Sequence, residues 1–110
     1  MKGREMHPMA ATYSNLAEVQ AAYPNWFSYT AMQFFNSRTY GDLVGGRYFI
    51  SSEQNKGFLS GKSYPRLYTI REVTETGIKD VGGFQAYHTL REARDGLADL
   101  LASQAEDKNV

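Results

Sequence analysis

Between Leu67 and Leu101 the apolar residues change period once, and that switch constrains the fold more than any other stretch of the chain. Leu67-Tyr68-Thr69-Ile70-Arg71-Glu72-Val73 and Ile78-Lys79-Asp80-Val81 are rich in β-branched and aromatic residues and are separated by Thr74-Glu75-Thr76-Gly77. Gly77 supplies a positive φ, so this spacing predicts an antiparallel hairpin with a bulge. Beyond Gly82-Gly83 the apolar positions become Leu90, Ala93, Leu97 and Leu100/Leu101, with Arg91, Glu92, Arg94, Asp95 and Asp99 on the other side. That is helical spacing. Thr89, with Glu92 after it, forms a capping box at the helix start, and Gly96 lets the helix lie close on a sheet.

Upstream, Asn15 and Glu18 make an N-cap pair for a first helix over Leu16, Val19 and Ala22/Tyr23, which Pro24 ends. Trp26-Phe27 is a bulky pair that plugs one end of the core. Ser28 or Thr30 caps a brief helical turn through Phe35, with a strand as the competing reading. Gly41 to Gly46 reads as a flexible connection, Arg47 to Ser52 as a strand, and Asn55 to Ser63 as a loop. Pro65 opens the next strand, and Phe84 is directed into the core. The expected fold is α+β: a small antiparallel sheet of three to four strands packed against a C-terminal helix and a short N-terminal helix, with the helices on one face. Residues 1–13 form an expected flexible arm, 14–105 a single domain, and 106–110 a charged tail.

With 110 residues, 42% hydrophobic and 14% aromatic, the chain has material for one core and one domain. It contains no Cys, which excludes disulfides, Cys-ligated zinc and thiol catalysis. No apolar run approaches the roughly 20 residues of a membrane span, and no apolar stretch follows the basic N-terminus. The expectation is a soluble cytoplasmic protein.

Charge is zero overall but uneven. Residues 31–71 carry six Lys/Arg against two Asp/Glu and hold eight of the fifteen aromatics, whereas residues 72–110 carry four against eight. Strand alternation puts Tyr48 and Ile50 on one face and Arg47, Phe49 and Ser51 on the other. In the next strand Tyr68 and Ile70 oppose Leu67, Thr69, Arg71 and Val73. Charged side chains are rarely buried unpaired, so the faces bearing Arg47 and Arg71 are expected to meet water with Phe49 exposed between them. Arg38, Arg47, Phe49, Lys56, Lys62 and Arg71 then define a candidate basic and aromatic face, suited to nucleic acid. Glu92, Asp95 and Asp99 define a candidate acidic helix face, suited to a basic protein surface.

Catalytic patterns fail on chemistry. His7 and His88 are isolated, so no metal site is expected. Ser51-Ser52-Glu53 lacks the glycines of a nucleophile elbow and reads as a strand end. Glu72 and Glu75 flank a hairpin tip, which offers no burial to split their pKa values. Gly41 to Gly46 lacks the Lys-Ser/Thr of a phosphate loop. A non-enzymatic protein without cofactor is expected.

Asp80-Val81-Gly82-Gly83-Phe84 and the helix after it resemble the strand–turn–helix ending of small sheet-plus-helix domains, a similarity of packing that carries no functional residues. Met32 to Arg38, Arg47 to Glu53, Arg66 to Arg71 and Gly83 to Tyr87 together are similar to short uncharacterised proteins of phages and plasmids. That resemblance implies no activity but implies a genomic setting in which small proteins inhibit host defence, anti-CRISPR proteins among them. The leading expectation is therefore a module that occludes a host protein, such as a CRISPR effector, through Glu92, Asp95 and Asp99. The alternatives are a small nucleic-acid-binding module and a homodimer.

Overall fold

A computed structural model describes residues 13–56 and 63–108 of the chain. The elements run α1 (Leu16–Ala22), α2 (Tyr29–Phe34), β1 (Arg38–Val44), β2 (Tyr48–Lys56), β3 (Ser63–Thr74), β4 (Gly77–Val81) and α3 (Leu90–Lys108). The four strands form one antiparallel sheet in chain order, so the architecture is α+β as expected. The expected arm lies outside the described residues except for Tyr13, whose N–H donates to Gly46 O at 3.1 Å. α3 continues to Lys108, past the Ala105 limit read from its apolar period.

Local chemistry accounts for the helix starts. Asn15 Oδ1 accepts from Glu18 N at 3.0 Å while Glu18 Oε1 accepts from Ser14 N at 2.7 Å, closing the predicted cap of α1. Ser28 Oγ accepts from Ala31 N at 3.2 Å, which selects the helical reading of 29–34 over the strand. Thr89 Oγ1 accepts from Glu92 N at 3.0 Å at the start of α3. The β3–β4 hairpin pairs Thr74 with Gly77 around the two loop residues Glu75 and Thr76. Gly77 has the expected positive φ (+144), but the ladder keeps its register and has no bulge.

The bulge lies elsewhere. Residues 41–46, expected as a flexible connection, are mostly strand: β1 pairs Tyr40 with Ile50 and Val44 with Tyr48, with its irregularity between them. Gly41, at φ +68, makes that step. The bulge aims Asp42 Oδ1 at the N–H groups of Leu16 (2.6 Å) and Leu43 (2.7 Å), so β1 caps the first turn of α1. These two backbone donors hold the Asp42 carboxyl below its ordinary range.

The strand alternation is as read, but both faces of the sheet are covered. Tyr48, Ile50 and Ile70 pack with Ala93 and Leu97 of α3 on one face. Phe49 and Val73 pack with Leu16 and Val19 of α1 on the other, backed by Trp26 and Phe27. The expectation of helices on one face, with Phe49 exposed on the opposite one, is thereby corrected: Phe49 is 1% exposed. Trp26 meets it edge-on at 5.7 Å and Phe27 lies 5.9 Å away, so the Trp26-Phe27 pair does plug the core, over this second face. Gly96 does allow close packing, since a Cβ there would come within 2.6 Å of Tyr87 Oη. No described helix is long and apolar enough to cross a membrane.

Two outcomes follow from this packing. Phe49→Ala costs about 3–5 kcal/mol in urea unfolding, as expected of a core aromatic and unlike an exposed one. Asp42 stabilises the fold above the ordinary Asp range near ~4, and that contribution fades as pH falls through its lowered folded pKa. Unfolding free energies measured from pH 5 to 3 (roughly the span on which an Asp titrates) therefore decline more steeply for the native chain than for Asp42→Asn.

Candidate functional site

The β2–β3 register sets Phe49 against Arg71, Ser51 against Thr69 and Glu53 against Leu67. Alternation places Ser51, Glu53, Thr69 and Arg71 on the α1 side of the sheet, where sequence logic asks for water. They meet each other instead. Glu53 Oε2 accepts from Ser51 Oγ at 2.6 Å and from Arg71 Nη2 at 2.9 Å, and Oε1 accepts from Thr69 Oγ1 at 2.8 Å. Arg71 Nε donates to Ser51 Oγ at 2.9 Å. The Glu53 side chain is 2% exposed and that of Arg71 11%. A buried charge of this kind is tolerated only when paired and hydrogen-bonded, and three donors satisfy the carboxylate here.

The turn after β4 closes over the group. Gln85, at φ +56, donates its N–H to Thr69 Oγ1 at 2.8 Å and its Nε2 to Glu53 O at 3.1 Å. Phe84 therefore does not enter the core, as the sequence suggests, but is half-exposed beside Arg71. The guanidinium lies 5.3 Å from the Trp26 ring centroid and 5.4 Å from that of Phe84, over both faces. Arg71 Nη1 has no protein hydrogen-bond partner among the described residues.

Above the polar floor is a cleft of about 670 Å³, walled by Trp26, Met32, Phe35, Ile78 and Phe84. That volume is in the range of ligand sites, roughly 300–1,000 Å³. α2 forms one wall and buries none of its own residues. Its C-terminal end is tied down: Phe35 O accepts from Gln54 N at 2.7 Å, and Asn36 O accepts from Arg66 Nη1 at 2.8 Å. Phe34 meets Phe35 edge-on at 4.6 Å, and Phe35 lies 5.9 Å from Phe84. Two aromatic groups, Phe34–Phe35–Phe84 at the surface and Trp26–Phe49 at the core, thus meet through the Arg71 guanidinium.

The basic and aromatic set predicted from sequence is dispersed. Arg38 is exposed at the start of β1. Arg47 sits in the β1–β2 turn, 3.5 Å from Glu72, and donates to Gln104 of α3 at 3.4 Å. Phe49 is core, Arg71 is paired, Lys56 ends β2, and Lys62 lies outside the described residues. Phe49 and Arg71, the centre of the expected sheet face, are therefore not on an exposed surface. Glu92, Asp95 and Asp99 are exposed on α3, as expected. Glu92 is occupied by capping, accepting from His88 N at 2.9 Å. Asp95 and Asp99 have no ion-pair partner among the described residues.

Ser51 and Ser52 are not strand-end residues but fully buried mid-strand hydroxyls. Ser51, Glu53, Thr69, Gln85, Trp26 and Phe84 are the site residues that sequence reasoning missed. One signal was available: Glu53 and Arg71 fall on the same face of two strands that an antiparallel register makes neighbours. The described residues hold no cluster of three metal-ligating side chains.

Breaking the pair is informative. Glu53→Gln leaves Arg71 without a counter-charge and costs about 3–5 kcal/mol in urea unfolding, whereas the double variant Glu53→Gln/Arg71→Met recovers most of it. Additive single costs in that double-mutant cycle would show that the two side chains act independently.

A family model described as a family of unknown function (DUF7447) matches residues 13–98. No curated protein and no solved structure matches the chain.

Proposed function

The chain belongs to the DUF7447 family of unknown function, and we propose that it is a non-enzymatic protein-binding module. The observation that carries the reading is the exposed aromatic edge of the cleft: Phe34 is 71% exposed and Phe84 45%, with Tyr29 also exposed on α2. Large aromatics left in water beside a concave apolar surface are a feature of interaction sites rather than of ordinary surface. The site chemistry agrees with binding. The Ser51 hydroxyl is buried and held by both Glu53 and Arg71, so it is built into the floor and is not presented as a nucleophile.

A finer form of the proposal draws on the resemblance to phage and plasmid proteins. In it the partner is a host defence protein, such as a CRISPR effector, and the exposed Asp95 and Asp99 oppose its basic nucleic-acid channel. Burial of Phe49 in the core and pairing of Arg71 favour this reading over the nucleic-acid alternative.

The test is affinity capture from nuclease-treated bacterial lysate with the tagged chain, compared with Phe34→Ala, Phe84→Ala and Asp95→Lys/Asp99→Lys. A discrete polypeptide retained by the native chain and reduced about tenfold by either Phe variant is the expected result. Recovery of nucleic acid alone, or of the same proteins by every variant, would sink the reading. Loss of capture on charge reversal is the outcome specific to the finer form.

A further inference from the structure

We infer that the cleft receives an apolar residue of a partner polypeptide and binds the adjacent main-chain carbonyl through Arg71 Nη1. This inference rests on the protein-binding reading and specifies what the partner presents. Three observations lead to it.

The floor presents an unused donor, while its carboxylate is engaged on both oxygens. Glu53 already accepts from Ser51, Thr69 and Arg71, and its side chain is only 2% exposed. Arg71 uses Nε and Nη2 within the protein, and its Nη1 has no partner among the described residues. A group that reaches this nitrogen must therefore accept a hydrogen bond.

Charge selects which acceptor. Glu53 and Arg71 are the only charged residues lining the cleft among the described residues, and they cancel. A carboxylate brought down to this floor loses hydration without meeting net positive charge, whereas a neutral carbonyl loses less and still takes the hydrogen bond. A cation likewise meets no net opposite charge there, and it cannot accept from Arg71 Nη1.

The walls supply the remainder. Trp26, Met32, Phe35, Ile78 and Phe84 surround the floor with apolar surface, and the Met32 thioether suits irregular apolar shapes. An apolar side chain next to a neutral acceptor is what a peptide unit presents. A polypeptide passing the exposed Phe34 and Phe84 edge delivers both groups together.

The chain carries its own reporter, because Trp26 is its one tryptophan. The full chain is titrated with N-acetyl-L-phenylalaninamide, a blocked residue with neutral carbonyls, and with 2-phenylethylammonium, which has a similar ring and a cationic donor. Trp26 fluorescence and amide NMR shifts at Gly83 to Gln85 are followed. The amide is expected to give a saturable change at least about tenfold tighter than the ammonium. Ala31→Phe, at an exposed position lining the cleft, is expected to abolish it without altering the melting temperature. Arg71→Lys, which keeps a cation beside Glu53 but lacks Nη1, is expected to weaken the amide about tenfold. Should that variant fail to fold, Ala31→Phe decides the matter. Equal titration by both probes, or an amide response that persists in Ala31→Phe, overturns the inference. Failure of lysate capture with amide binding intact removes the protein-binding reading and leaves the cleft chemistry standing as a site for a small neutral amide. Capture that Ala31→Phe leaves intact, with no amide binding, does the reverse.

Discussion

The ion pair between Glu53 and Arg71 is the contact on which the α1 side of the molecule depends. It crosses from β2 to β3 at 2.9 Å inside a face otherwise made of Phe49 and Val73. A one-residue slip between these strands would send Arg71 to the α3 side and leave Glu53 buried without a partner, so the pair specifies the register through the cost of the alternative. Whether it adds net stability is a separate matter, since burial of two charges consumes most of their attraction. Its neighbours are arranged to keep it satisfied. Ser51 and Thr69 complete the carboxylate, Gln85 orders Thr69, and the rings of Trp26 and Phe84 lie against the guanidinium.

The rest of the fold shows the same use of single polar or small residues to position apolar elements. Asp42, turned by the Gly41 bulge, attaches a helix of only seven residues to an edge strand 26 positions away. Such a short helix has little stability of its own, so capping and the burial of Leu16 and Val19 maintain it. On the opposite face Gly96 makes room for Tyr87, whose backbone bridges to Tyr68 and extends β3 pairing beyond the short β4. The sheet is thereby enclosed on both sides by a chain of modest length, and its polar residues are drawn inside with it.

That enclosure changes how the candidate surfaces are read. Arginines and aromatics concentrated in residues 31–71 look like an exposed recognition face, but most of their contacts are internal. Arg71 serves the floor of the cleft and Phe49 the core. Outside are a short aromatic edge on α2 and at Phe84, the separate Tyr64 and Arg38, and the acidic side of α3 on the far face of the sheet. The concave side is apolar and electrically neutral, and the convex helix is acidic. These are two chemically different surfaces on one small domain.

Local residue chemistry by itself determined the hairpin of β3 and β4, the caps at Asn15 and Thr89, the apolar stripe of α3 and the alternation of faces in β2 and β3, while at residues 29–34 it left helix and strand both open. Each depends on neighbours within a few positions, so period and capping chemistry reveal them directly. β1 was not legible, because a glycine-flanked strand with a bulge has the composition of a loop and gains its pairing only from β2. Nor was the burial of Phe49, Ser51 and Glu53. Alternation states which side chains share a face but not what covers it, and α1 with Trp26 arrives there from far away in the chain. The rule that charge faces water failed at Arg71 because Glu53 lies within reach only after β2 and β3 pair. The cleft was decided at the same level, since its floor comes from two strands and its walls from α2 and two turns that only tertiary packing brings together.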